Sequence, residues 1–65
     1  MGAIEYEEMP EGWKVVHINK GNTACFIYVK ECDYIYGVPI IEHEGELYCS
    51  VFDPDILYHI PKEVN

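Results

Sequence analysis

Arginine is missing altogether, and only four lysines stand against twelve acidic residues in a chain of 65, a formal charge of −8. That balance excludes a direct grip on DNA, RNA or an anionic membrane, whose phosphates must be met by cations. Long apolar runs are missing too: nothing approaches the roughly 20 residues that span a bilayer. The segment Met1 to Gly12 holds four glutamates where a signal peptide would hold basic residues and then an apolar core. The ending Lys62-Glu63-Val64-Asn65 matches no lipidation or retention signal. Cysteine is scarce and odd in number. Cys25, Cys32 and Cys49 cannot all pair within one chain, which points to reduced thiols and a cytoplasmic location. Packing, rather than disulfides, is then expected to hold the fold.

What is present is a small globular composition, 49% hydrophobic and 14% aromatic, outside the disordered class. A domain of this size buries only about 60% of the surface its unfolded chain exposes. Residues 1–65 therefore read as one small β domain, too short for a nucleotide-binding α/β fold or a TIM barrel. Met1 to Glu8 reads as a flexible tail or an extra edge strand.

Four segments rich in β-branched and aromatic residues predict strands: Trp13 to Lys20, Ala24 to Lys30, Tyr34 to His43 and Glu46 to Phe52. Met9-Pro10-Glu11-Gly12 suits a type I turn. Gly21-Asn22 suits a two-residue type II′ hairpin, which sets Ile18 opposite Cys25 and Val16 opposite Ile27, with Trp13, Val15, His17, Phe26 and Tyr28 on the other face. Gly37 and Pro39 predict that the third segment bends, bulges or lies on an edge. For the third turn, a three-residue loop sets Glu42 opposite Glu46, whereas a Glu44-Gly45 loop sets His43 opposite Glu46. Asp53-Pro54-Asp55 reads as a helix start, cut short by Pro61. The expected fold is mostly β: a small, curved antiparallel meander of four to five strands with SH3-like or open-barrel geometry, ending in one short C-terminal helix or 3₁₀ turn. The likeness is one of shape only, since no SH3 sequence signature is present.

No chemistry-bearing motif rises above this background. Cys25 and Cys32 are separated by six residues and His43 and Cys49 by five, without the close ligand pairs of structural zinc sites. Cys25 and Cys49 read as small hydrophobes within strands. The one serine, Ser50, lacks an elbow motif and a recognisable base, and no Gly-rich loop precedes a helix. Asp53 and Asp55 lack the further ligands of a calcium loop. No catalytic residue, metal ligand or cofactor is expected, and the protein reads as a non-enzyme.

Two excesses remain. Acids gather at the turns: Glu31 with Asp33, and Glu42, Glu44 and Glu46 together. Alternate residues on an extended segment, such as Glu5 and Glu7, lie about 6.6 Å apart on one side. Six tyrosines and one tryptophan exceed what so small a core can enclose, and tyrosine favours interfaces. The expected function is protein binding: a stoichiometric inhibitor or nucleic-acid mimic, of the kind mobile elements and viruses make, that occupies a basic site on a partner, for example a nucleic-acid-binding protein. Glu42, Glu44, Glu46, Glu31 and Asp33 would present charge, and Tyr34, Tyr36 and Tyr48 would anchor. The alternative is a scaffold or regulatory module that recognises a peptide on a tyrosine-rich sheet face. Exposed tyrosines and a free strand edge are also compatible with a homodimer.

Overall fold

Gly37 and Pro39 sit inside the longest strand, and the bend there shapes the fold. In the computed structural model, which describes residues 2–62, the strands are β1 (Glu7–Glu8), β2 (Trp13–Ile18), β3 (Ala24–Val29), β4 (Tyr34–His43), β5 (Glu46–Cys49) and β6 (Tyr58–His59). They form one six-stranded sheet in the order β1-β6-β5-β4-β3-β2, curled into a half-barrel. All neighbours are antiparallel except β1 and β6, which run parallel, so the sheet is mixed. Met1 and residues 63–65, including most of the C-terminal sequence read above for signals, lie outside the described residues.

β4 changes partner at its bend. Tyr34 to Pro39 pairs with β3, and Ile40 to His43 pairs with β5. The Ile40 N–H donates to the Thr23 carbonyl at 3.0 Å, so by alternation the Pro39 nitrogen points away from β3, past the end of β5. A proline is tolerated there because no ladder bond is required of it. Gly37 faces the Phe26 ring, and a Cβ at Gly37 would come within 3.1 Å of that ring. β4 thus bends in mid-sheet and does not lie on an edge.

Several local expectations are corrected. Val16 forms a bulge, so Val15 rather than Val16 lies opposite Ile27, while Ile18 faces Cys25 as expected. The extra residue carries Trp13 and Val15 to the concave side and leaves Val16 exposed. The first hairpin does not form a type II′ turn. Its left-handed residue is Asn22 (φ 56°), whose N–H donates to the Asn19 carbonyl at 3.0 Å. The Asn19 side chain meanwhile accepts the Thr23 N–H at 3.0 Å, a local bond that favours this wider loop. The first turn is shifted by one residue: the Trp13 N–H donates to the Pro10 carbonyl, with Gly12 at φ 92°. The third turn is Glu44-Gly45, both left-handed (φ 53° and 84°), with His43 opposite Glu46 and Glu42 opposite Leu47.

The C-terminal helix is absent among the described residues. Asp53 does cap as its residue type dictates, accepting the Asp55 N–H on its side chain at 2.9 Å and the Ile56 N–H on its carbonyl at 3.0 Å. The same aspartate–proline chemistry serves an isolated β-turn. With Pro61 so close, too few residues follow to offset helix nucleation, and Tyr58–His59 instead fills the gap between β5 and β1.

The concave side holds the core: Val15, Cys25, Ile27, Val29, Val38, Cys49 and Ile60, and no charged or polar residue is buried among the described residues. Fully burying each such aliphatic side chain contributes about 1.5–3 kcal/mol. Cys25 and Cys49 are buried and unpaired, and Cys32 is exposed in a turn.

Candidate protein-binding surface

The bend in β4 divides the charge. Residues 13–39, which form β2, β3 and the first part of β4, carry Lys14, Lys20 and Lys30 against Glu31 and Asp33. The other half comprises β1, β5, β6, the end of β4 and the connecting segments. It holds Glu5, Glu7, Glu8, Glu42, Glu44, Glu46, Asp53 and Asp55, eight acids against Lys62 among the described residues, whereas Glu11 lies beside Lys30 and Glu31 on the first side.

The two acidic turns expected to act together are far apart. Glu31, Asp33 and Tyr34 flank the start of β4, whereas Glu42, Glu44 and Glu46 flank its end. Nine steps of about 3.3 Å separate the ends of such a strand, comparable with the 38 Å long axis of the molecule. Asp33 is also engaged locally, since the Tyr28 hydroxyl donates to its carboxylate at 3.0 Å. That bond, with burial and the charge of Asp33 adding to it, raises the Tyr28 pKa.

At the far end of β4, Glu46 is an organising residue rather than a free charge. Its Oε1 lies 2.7 Å from His59 Nε2 and its Oε2 lies 3.1 Å from Lys62 Nζ. The His59 hydrogen bond, and then that of Lys62, hold its carboxyl below the usual range. The other ring nitrogen of His59, Nδ1, lies 3.6 Å from Glu8 Oε1. The imidazole therefore ties β1 and β5 to β6. Tyr6 closes the cluster, its ring centroid 5.1 Å from Tyr48 and 5.4 Å from His59. His43 Nε2 lies 3.0 Å from the Gly2 carbonyl and 3.6 Å from Glu44 Oε2. The chain from Gly2 to Glu8 is thus a strap across the convex side of β5 and β6, with a histidine at each end. Of the two readings for this segment, the added edge strand is the one seen, over Glu7–Glu8.

Tyr48, expected as an anchor, is 5% exposed beneath Tyr6 and is not available at the surface. Burial raises the pKa of its hydroxyl, and Tyr6 and the carboxylates of Glu46, Glu44 and Glu8 raise it further, which registers the negative potential here. The carboxylates left to present charge beside this cluster are Glu5, Glu7, Glu42 and Glu44, all on exposed residues. Geometry alone defines this surface. No protein family, curated protein or solved structure matches the chain. Nor does any group of three or more His, Cys, Asp or Glu side chains among the described residues form a metal-holding cluster.

Tyr34 and Tyr36 belong to a different feature. Their ring centroids are 4.9 Å apart, Tyr36 meets Phe52 at 5.1 Å, Phe52 meets Trp13 at 5.4 Å, and Trp13 meets Tyr58 at 5.1 Å. Trp13, Phe52 and Tyr58, like His43 and His59 at the other site, were not predicted as site residues. Their partners lie far off in sequence, and only the curl of the sheet unites them.

Proposed function

We propose that this protein binds a partner protein through its acidic half, occupying a basic site as a stoichiometric inhibitor or nucleic-acid mimic. The observation that carries the reading is the segregation of charge among the described residues: eight acids against Lys62 on one side of the β4 bend, and balance on the other. Glu5 and Glu7 on the strap, with Glu42 and Glu44 at the adjacent turn, offer carboxylates on a backbone held by the sheet and by the two histidines. A preorganised array of this kind steers and orients a cationic partner with little ordering cost at binding. Glu46 and Glu8 serve the array by holding it in place.

The test follows from that division. In the variant Glu5→Lys, Glu42→Lys, Glu44→Lys, the pairs that involve His59 stay intact. A partner captured by the wild-type protein is expected to be lost in this variant, lost at high salt, and displaced by duplex DNA if its basic site is a nucleic-acid groove. Retention of the partner in the variant and at high salt would refute the reading. A second reading, recognition of a peptide by aromatic residues, is supported by the row of rings that runs from Tyr34 through Tyr36, Phe52 and Trp13 to Tyr58.

A further inference from the structure

An array of carboxylates attracts and orients a cationic partner, but exposed charge pairs contribute little to holding it. Tight residence comes from an apolar group seated in a pocket with a polar rim. A cavity at one end of the half-barrel meets that description. It has a volume of about 170 Å³ and is lined by Ile18 from β2, Gly45 to Leu47 from the third turn and β5, and Ile60 to Lys62 beyond β6. Ile60 is 2% exposed and forms the floor, with Ile18 and Leu47 half-buried as walls, and all three pack with the core. The Ile60 N–H already donates to the Leu47 carbonyl at 2.9 Å, so the cavity asks for an apolar group and not for a hydrogen bond. Gly45, Pro61 and Lys62 stand exposed at the mouth, and a Cβ at Gly45 would meet nothing within 4 Å. The cavity is therefore open to solvent. Apolar cavities of roughly 150 Å³ take a group the size of benzene, so this one seats a side chain of about leucine size.

The charge beside the cavity selects what that side chain is attached to. Glu42 stands opposite Leu47 in the β4–β5 ladder. Residues paired in this way leave the sheet on one face with their Cβ atoms about 5 Å apart. The Glu42 side chain thus rises next to the Leu47 wall, and Glu44 lies at the adjacent turn, just before Gly45. Lys62 at the mouth is taken up by Glu46 at 3.1 Å, and neither Glu42 nor Glu44 is paired with a lysine among the described residues. Lys20 follows β2 shortly after Ile18, on the other wall, so an incoming cation is directed to the β4–β5 side.

We propose that the partner's basic site presents an aliphatic side chain of about leucine size beside a lysine or arginine, the aliphatic group entering the Ile18–Leu47–Ile60 cavity and the cation meeting Glu42 and Glu44. This rests on the reading of the acidic half as the binding side, and it adds the anchor that the carboxylates lack.

The full-length protein, labelled with ¹³C at its isoleucine and leucine methyl groups, is titrated with two acetylated, amidated peptides of equal charge, Lys-Lys-Leu-Lys-Lys and Lys-Lys-Ser-Lys-Lys. The leucine peptide is expected to bind about tenfold or more tighter, as burial of one aliphatic side chain implies, and to shift the methyl signals of Ile18, Leu47 and Ile60. Raising the salt should weaken both peptides and leave their ratio in place, because apolar burial is not screened. Acetyl-leucine amide, which lacks the lysines, should bind several-fold more weakly than the leucine peptide. Ile18→Phe extends a side chain into the cavity and should bring the ratio close to one. Should that variant unfold, the wild-type ratio and the methyl shifts still decide. The two readings fail differently. Equal, salt-sensitive binding of both peptides keeps the acidic reading and overturns the anchor. Absence of binding by either peptide at millimolar concentration overturns the proposal and counts against the acidic reading as well. Methyl shifts that follow protein concentration without peptide would give the cavity to a second copy, and equal binding of acetyl-leucine amide would give it to a small apolar ligand; either result overturns the proposal.

Discussion

The two sides of the β4 bend are built on different principles. On one side β2 and β3 are six-residue strands in long antiparallel ladders, and their inward residues Val15, Cys25, Ile27 and Val29 supply most of the buried core. On the other, β1 and β6 have two residues each and β5 has four. Strands that short are weak alone. Side chains of opposite or complementary character bind them: Glu46 to His59 and Lys62, Tyr6 over Tyr48 and His59, and His43 to the backbone of Gly2. The first side is stable because it is apolar and continuous. The second can carry a dense negative surface because a few specific contacts hold it to the first. Folding and charge presentation are thereby separated within one small sheet.

That separation is broken most severely from the stable side. Ile27 is fully buried at the centre of β3, and Ile27→Ala should cost about 3 kcal/mol. A 65-residue domain has only about 3–10 kcal/mol of stability in total. Urea denaturation is expected to show one transition with a greatly lowered midpoint, because loss of this side removes both.

His59→Ala should act locally. In hydrogen exchange followed by NMR, the amides of Glu7 and Ile60, which bond to Leu57 and Leu47 carbonyls, should exchange roughly tenfold faster. Amides within the β2–β3 ladder should change little. Equal acceleration everywhere would show that the two sides unfold as one unit and that the division is only one of charge.

Acid should discriminate the two sides further. The folded-state carboxyl of Glu46 titrates below its unfolded value, owing to His59 and then Lys62. Its contribution is therefore present above the unfolded carboxylate pKa of about 4.3 and is lost as pH falls through the lower folded value. Protection of the strap amides in wild type should exceed that in Glu46→Gln at neutral pH, and the difference should vanish in acid. A difference that grew on acidification would contradict the pairing.

The smallest expected effect is a gain. Glu44 is held in the left-handed region at φ 53°, which its side chain does not favour. Glu44→Asn should stabilise the domain by about 0.5 kcal/mol, read as a higher midpoint in thermal unfolding.

Much of the stable side was legible in the sequence. The runs Trp13 to Lys20, Ala24 to Lys30 and Tyr34 to His43 contain the strands observed, because β-branched and aromatic residues bounded by turn formers state their own geometry. The bulge was not legible: Val15 and Val16 are both apolar, so alternation does not tell which of them faces inward. Asp53-Pro54-Asp55 was misread because caps and isolated turns use the same side-chain chemistry. On the acidic side, clusters such as Glu42, Glu44 and Glu46 were visible as a local group. That Glu46 is internally paired, and that Tyr48 is covered, depends on residues 6, 8 and 59 meeting through a parallel β1–β6 pair. No local pattern announces such a contact.

The central claim is that the acidic side binds and the apolar side supports it. Affinity capture from the source cell's lysate at low and high salt tests it most directly, comparing wild type with Glu5→Lys, Glu42→Lys, Glu44→Lys and with a Lys14→Glu, Lys20→Glu control on the other side. One partner with a basic site is predicted to be lost in the first variant and at high salt, and kept in the control. A partner kept in the first variant, or lost equally in both, would contradict the claim.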